Sequence, residues 1–304
     1  MKRLILSACI MGCSIVLNAT ENADSSVLRQ HLITLTKTDG FRNSENVQLL
    51  NQIAAFISGE FGKYSKNVYE QKYSIRGKVY KNVICSFGPA NAKRIIVGAH
   101  YDVCGNQQGA DDNGSGVAGL LELARLLSGK ELKCRIDLVA YTLEEPPYYN
   151  TNGMGSFVHA KSLADSGINV YGMVSLEMIG YFKDEKHTQS YPIAPLRWIY
   201  GSRGNFITLI RKPNSGRFAA KFAKNFKQAN EIRTVKFTAP KLLPGIDWSD
   251  HRNYWYFGFS ALMVTDTSYL RNKSYHEITD TLEQLDFVRM AKVVDGVYQV
   301  LVTM

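Results

Sequence analysis

Four short apolar runs, Ile95–Ala99, Ile136–Leu143, Val170–Leu176 and Ala261–Thr265, recur along a 304-residue chain. Runs this short and continuous mark strands covered on both faces. The stretches Val117–Leu127, Ser156–Ala164 and Glu283–Val302 read as helices; in the first, Val117, Leu120, Leu121, Ala124 and Leu127 make one face. Upstream, Asn46–Ile57 has helical spacing, and Asn67–Tyr73 and Lys78–Ser86 read as strands. This alternation predicts an α/β fold, a three-layer sandwich with a mainly parallel central sheet flanked by helices. With 45% hydrophobic and 21% charged residues, disordered and collagen-like classes drop out.

One segment breaks the rhythm. Residues 181–246 hold thirteen Lys or Arg against three acids, a surplus larger than the whole chain's +9, so the basic character is local. Phe218, Phe222 and Phe226 recur every four residues there, with Lys221, Lys224 and Lys227 off that line. That pattern predicts an amphipathic helix with a solvated basic face; attraction for acidic substrates or an anionic surface is the sharper reading. Neither a zinc finger nor an RNA-recognition signature accompanies the charge, which argues against nucleic acid. The segment is expected to be an insertion covering one edge of the sheet, near the edge that carries the functional residues, within a single domain over 20–304.

The chain opens Met1-Lys2-Arg3, followed by fourteen mostly apolar residues from Leu4 to Leu17 and then Asn18-Ala19. A membrane span needs about 20 residues, so 1–19 reads as a secretory leader and the protein as exported, periplasmic or extracellular. Ile10-Met11-Gly12-Cys13 resembles a lipoprotein processing site and keeps lipid anchoring at Cys13, or peripheral membrane association, open. Cys9 and Cys13 fall in the leader, leaving Cys85, Cys104 and Cys134, an odd and sparse set that is no disulfide scaffold. No two have zinc-finger spacing, so thiolate metal ligation is not expected. Oligomeric state is not legible.

The polar residues fall at the strand ends. His100 follows Ala99, Glu144 and Glu145 follow Leu143, Glu177 follows Leu176, and Asp266 follows Thr265. Ligands in open α/β sheets bind beyond the carboxyl ends of the strands, and converging acids repel unless something positive sits among them. A pair of divalent ions supplies that charge, and zinc suits mixed imidazole and carboxylate donors. Two ions need a bridging carboxylate. Asp112, in the Gly-rich loop between strand and helix, is the natural bridge.

GAHYD, GADDNGSG, LEEP, SLEMIGY, SDH and YHEITDTLE, in that order, resemble the motifs of the di-zinc aminopeptidase superfamily, which includes bacterial leucyl aminopeptidases and glutamate carboxypeptidases. The resemblance implies that His100, Asp112 and Glu177 hold one Zn2+ ion, and Asp112, Glu145 and His276 the other. It implies Glu144 as general base for a water activated between the ions, and Tyr275 as donor to the developing oxyanion. Asp102 would hold the His100 ring nitrogen that faces away from the metal. Asp250 and His251 would stand behind the ligands, and Asp111 would cap or shape the loop. A cis peptide is implied at Asp112–Asn113. Glu177 departs from the Asp common at its place, and Pro146-Pro147-Tyr148-Tyr149 is longer than the usual turn.

The implied activity is that of a zinc exopeptidase on peptide substrates, releasing N-terminal residues. Three alternatives stand beside it. Glutaminyl cyclases share the fold and many of these ligands, but use one zinc, usually with Trp before the last His and a loop poorer in acids. A carboxypeptidase would suit an Arg-rich pocket built from Arg197, Arg203, Arg211 or Arg252. A non-catalytic binding domain would have lost Glu144 or a ligand. Pocket walls are expected from Pro146–Asn152, the basic segment and Tyr269–Ser274.

Overall fold

The computed structural model describes residues 22–304, so the expected leader lies outside the described residues. Two helices come first, α1 (Ser25–Thr36) and α2 (Val47–Gly62), capped by the side chains of Asp24 and Asn46. Then follow β1 (Val68–Ile75), β2 (Lys78–Phe87), β3 (Arg94–His100), α3 (Gly116–Leu127), β4 (Arg135–Tyr141), α4 (Gly155–Asp165) and β5 (Val170–Glu177). The second half gives α5 (Leu196–Tyr200), β6 (Ile207–Arg211), α6 (Gly216–Ala229), β7 (Thr234–Thr238), α7 (His251–Tyr256), β8 (Ala261–Thr265) and α8 (Phe287–Thr303).

Among the described residues eight strands form one sheet in the order β1-β2-β4-β3-β5-β8-β6-β7. The centre, β4, β3, β5 and β8, is parallel, while β2 and β6 join it antiparallel. Alternate residues of the central strands face different cores: Ile95, Val97 and Ala99 enter a large one with α1, α2, α3, α6 and α8, and Ile96 a smaller one with α4 and α7. Burial on both faces explains why these strands are apolar without interruption.

Two expectations need correction. Residues 181–246 do occupy one edge of the sheet, but as part of it rather than as a cover: β6 pairs with β8 and β7 with β6, each only five residues long. Strands that short, interleaved with basic residues, carry little pattern. Within the same segment α6 buries Phe218, Ala219, Phe222, Ala223 and Phe226 and exposes Lys221, Lys224 and Lys227, the amphipathic helix expected. The closing helix starts at Phe287 rather than Glu283, because the Asp286 carboxylate accepts the Arg289 N–H and caps it. Among the described residues no helix is long and apolar enough to cross a membrane.

Candidate metal centre

Because β3, β4 and β5 are parallel, their carboxyl ends share one edge. His100 closes β3 and Glu177 closes β5. Beyond β4, Leu143 takes a left-handed φ of 61° and turns Glu144 and Glu145 into the same space. Asp112 sits in the turn Ala110–Ser115 between β3 and α3, and the Asp112–Asn113 peptide is cis. Gly116 lets this turn press on β5: a Cβ there would meet Asn113 Oδ1 at 2.4 Å and Leu176 O at 2.7 Å. His276 comes from the loop after β8.

The His100 Nε2 atom is 3.5 Å from Asp112 Oδ1, 3.5 Å from Glu177 Oε2 and 3.8 Å from Glu144 Oε2. The other oxygen of Asp112, Oδ2, is 3.2 Å from His276 Nε2, which is also 3.2 Å from Glu145 Oε2. Asp112 therefore presents one oxygen to each histidine. His100, Asp112 and Glu177 place three donor atoms within 4.8 Å of one another.

These donors fit a metal. His100 Nε2, Asp112 Oδ2 and Glu145 Oε1 are buried without a hydrogen-bond partner, although buried polar atoms are normally paired. Burial, with the Asp112 charge adding to it, pushes the Glu145 carboxyl up to about 8. Burial likewise raises Glu144 well above the carboxylate range and Glu177 above its ordinary value. At Asp112 the same desolvation is more than offset by His100 and His276, which hold it below that range. A divalent cation among them reverses the desolvation problem, and two imidazoles with carboxylates make a zinc-type donor set.

The supporting residues depart from expectation at several points. It is the Asp102 backbone oxygen, not its carboxylate, that stands 3.1 Å from His100 Nδ1; the carboxylate is 3.6 Å away. That carboxylate instead accepts the N–H groups of Glu144 and Glu145, at 3.2 and 3.1 Å. Asp111 caps nothing: it accepts the Gly180 N–H and the Asn272 amide, and so shapes the loop. His251 turns away from the ligands, its Nε2 2.8 Å from Ile246 O and its ring edge-on to Trp255. Asp250 is buried with both oxygens unpaired and makes no hydrogen bond to a candidate ligand. Tyr275 stacks on His276 with ring centroids 3.8 Å apart.

The roles of three residues escaped the sequence reading. Asp280 accepts the N–H groups of Asp111 and Asp112, and Asn113 Nδ2 donates to Leu176 O and Glu177 Oε2. Both lie inside quoted motifs, which was the available signal. Cys104 was set aside because no cysteine pair has metal spacing, yet its sulfur lies within 4.8 Å of donor atoms of Glu145 and His276.

Beside Glu177 and Tyr275 opens a mostly apolar cleft walled by Leu196, Phe206, Ile210, Phe237, Trp248 and Met263 among others. It is lined from the basic segment and from Tyr269–Leu270; no residue of Pro146–Asn152 reaches it. Nor does any Arg or Lys. Arg197, Arg203, Arg211 and Arg252 bond elsewhere, to His187, Asp184, Thr238 and Asn150.

Residues 82–301 match the model of peptidase family M28. The chain is 39% identical over 288 residues to the Escherichia coli (strain K12) protein YfbL, covering 92% of this chain and 88% of that one. It is 28% identical over 296 residues to a probable leucine aminopeptidase of Arthroderma otae, covering 90% and 72%. The solved glutaminyl cyclase of Tannerella forsythia superposes with a TM-score of 0.71 at 19% identity, over 93% of this chain and all of that one, a likeness of fold.

Proposed function

The chain belongs to peptidase family M28, and from that premise we propose that it is an exported di-zinc aminopeptidase acting on peptides with a large apolar N-terminal residue. The observation that carries this reading is the division of Asp112, one oxygen toward His100 and the other toward His276. A carboxylate so placed can bridge two ions, with Glu177 completing one set and Glu145 the other. When bound, zinc supplies Lewis acidity, polarising the scissile carbonyl and making water a stronger acid.

The chain's own groups do the rest. Glu144 Oε2 faces the centre from a buried position; with cationic charge among the ligands offsetting the burial that raises it, it would take a proton from water and return it to the leaving amine. Its backbone placement comes from Asp102. The Tyr275 hydroxyl is the donor for the oxyanion, its ring steadied by the His276 stack. The N-terminal side chain fills the apolar cleft, and carboxylates near the ions hold the free α-amine. A cleft without Arg or Lys argues against a carboxypeptidase selective for acidic residues.

The test is hydrolysis of free-amine and N-blocked peptides, with and without chelator. Chelator-sensitive cleavage of free-amine substrates is expected. Cleavage of blocked peptides only overturns the aminopeptidase reading, and cyclisation rather than cleavage of N-terminal Gln peptides makes the protein a cyclase.

A further inference from the structure

Among the described residues there are three free cysteines, of which Cys85 and Cys134 are buried and Cys104 is partly exposed. Cys104 lies in the loop that joins His100 to the Asp112 turn. That loop is pinned on both sides of the cysteine. The fully buried Arg42 guanidinium donates to the carbonyls of Tyr101, Gln108 and Gly109, its backbone oxygen accepts the Val103 N–H, and Asn43 donates to Gly105 O. The backbone that carries Cys104 is thus held in place, and its sulfur lies within 4.8 Å of donor atoms of Glu145 and His276. Glu145 is 4% exposed, and its Oε1 has no hydrogen-bond partner.

We infer that Cys104 Sγ is a protein ligand of the metal ion held by Glu145 and His276. Zinc is borderline soft, and thiolate with imidazole is among its preferred donor pairs. Coordination forms a metal–sulfur bond and releases the thiol proton to solvent. Cys104, Glu145 and His276 bring donor atoms within 4.8 Å of one another, and Asp112 Oδ2, 3.2 Å from His276 Nε2, would supply a fourth, the number found at closed sites, whereas the His100 side would have His100, Asp112 and Glu177 and keep a position open. The two ions are therefore unequal: the one at Cys104 is the more tightly held. The inference rests on the metal reading proposed above.

The experiment is cobalt(II) titration of the metal-stripped full chain, followed by absorption, on wild type, Cys104→Ser and Cys104→Ala, with circular dichroism to verify folding. Wild type should develop a near-ultraviolet sulfur-to-cobalt charge-transfer band that saturates with one bound equivalent. Both variants should lack it while still binding cobalt, and should hold the tighter ion at least roughly 10–100-fold more weakly, the loss seen when even a supporting residue is removed. Any absorbance from the other cysteines persists in the variants and cancels in the comparison. Cobalt bound by wild type without the band overturns the sulfur ligand and leaves the metal reading standing. Wild type that binds neither cobalt nor zinc overturns both.

Discussion

The Asp102 carboxylate accepts the Glu145 N–H at 3.1 Å, and its second oxygen accepts that of Glu144 at 3.2 Å. One side chain two residues beyond β3 thereby fixes the backbone of the two glutamates beyond β4. Asp102→Asn keeps one acceptor and turns an NH2 toward the other donor, so one of the two N–H groups loses its partner. We expect kcat to fall about 10- to 100-fold, the usual cost of disturbing a group that orients a ligand. Metal content should stay near wild type, because the His100 ring is held by the Asp102 backbone oxygen, which the substitution keeps. Loss of metal in this variant would return Asp102 to the role of orienting His100.

Adjacent acids in the turn should behave differently. Asp112→Asn removes the charge from the atom pair that faces both histidines, so activity should disappear and bound metal should drop. Asp111 faces Gly180 and Asn272 instead. Asp111→Asn should lower the melting temperature while kcat stays within a few-fold of wild type. Metal analysis, thermal unfolding and turnover on one preparation of each variant separate the two outcomes.

The apolar cleft makes a claim about substrate preference. Trp248 is 43% exposed, lines the cleft and packs on Tyr269 with ring centroids 5.5 Å apart. Trp248→Ala removes contact area without opening the core. For substrates with N-terminal Leu or Phe, kcat/KM should fall roughly 5- to 30-fold, equivalent to about 1–2 kcal/mol of lost apolar burial. For N-terminal Ala the change should be small. An equal loss on all substrates would place Trp248 outside the specificity wall.

The central strands were legible because burial on both faces leaves uninterrupted apolar runs, His100, Glu145 and Glu177 because they follow such runs, and Asp112 because it lies in the Gly-rich loop between strand and helix. His276 depended on resemblance alone, since no strand precedes it. The short strands β6 and β7 were not legible: five residues beside basic loops give no period. The exchange of partners at Asp102 also lay beyond reach, because a carboxylate two residues after a histidine can turn either to the ring or to a neighbouring backbone, and only the fold decides. Cys104 was hidden by its spacing, as its companions Glu145 and His276 are 41 and 172 residues away in sequence.

Metal removal should make stability fall as pH rises through neutrality. In the metal-free fold, burial lifts Glu145 to about 8 and Asp250 to about 7, so the folded chain keeps protons that the unfolded chain has already released. At His100 burial opposes protonation, but Glu177 and its other carboxylate neighbours raise it above its ordinary value, which acts in the same direction. The buried His159 and His251 act oppositely, since burial lowers them to about 4 and about 3, but this opposing effect fades above about pH 6.5 as the unfolded chain's histidines lose their protons too. From about pH 6.5 to 8 the folded state therefore binds more protons than the unfolded one, and stability declines by up to about 1.4 kcal/mol per pH unit for each proton retained. Bound metal replaces those protons. Melting temperatures measured at pH 6.5, 7 and 8 should fall steadily in chelator and change much less with zinc, whereas parallel profiles would mean that these carboxylates do not face the ions.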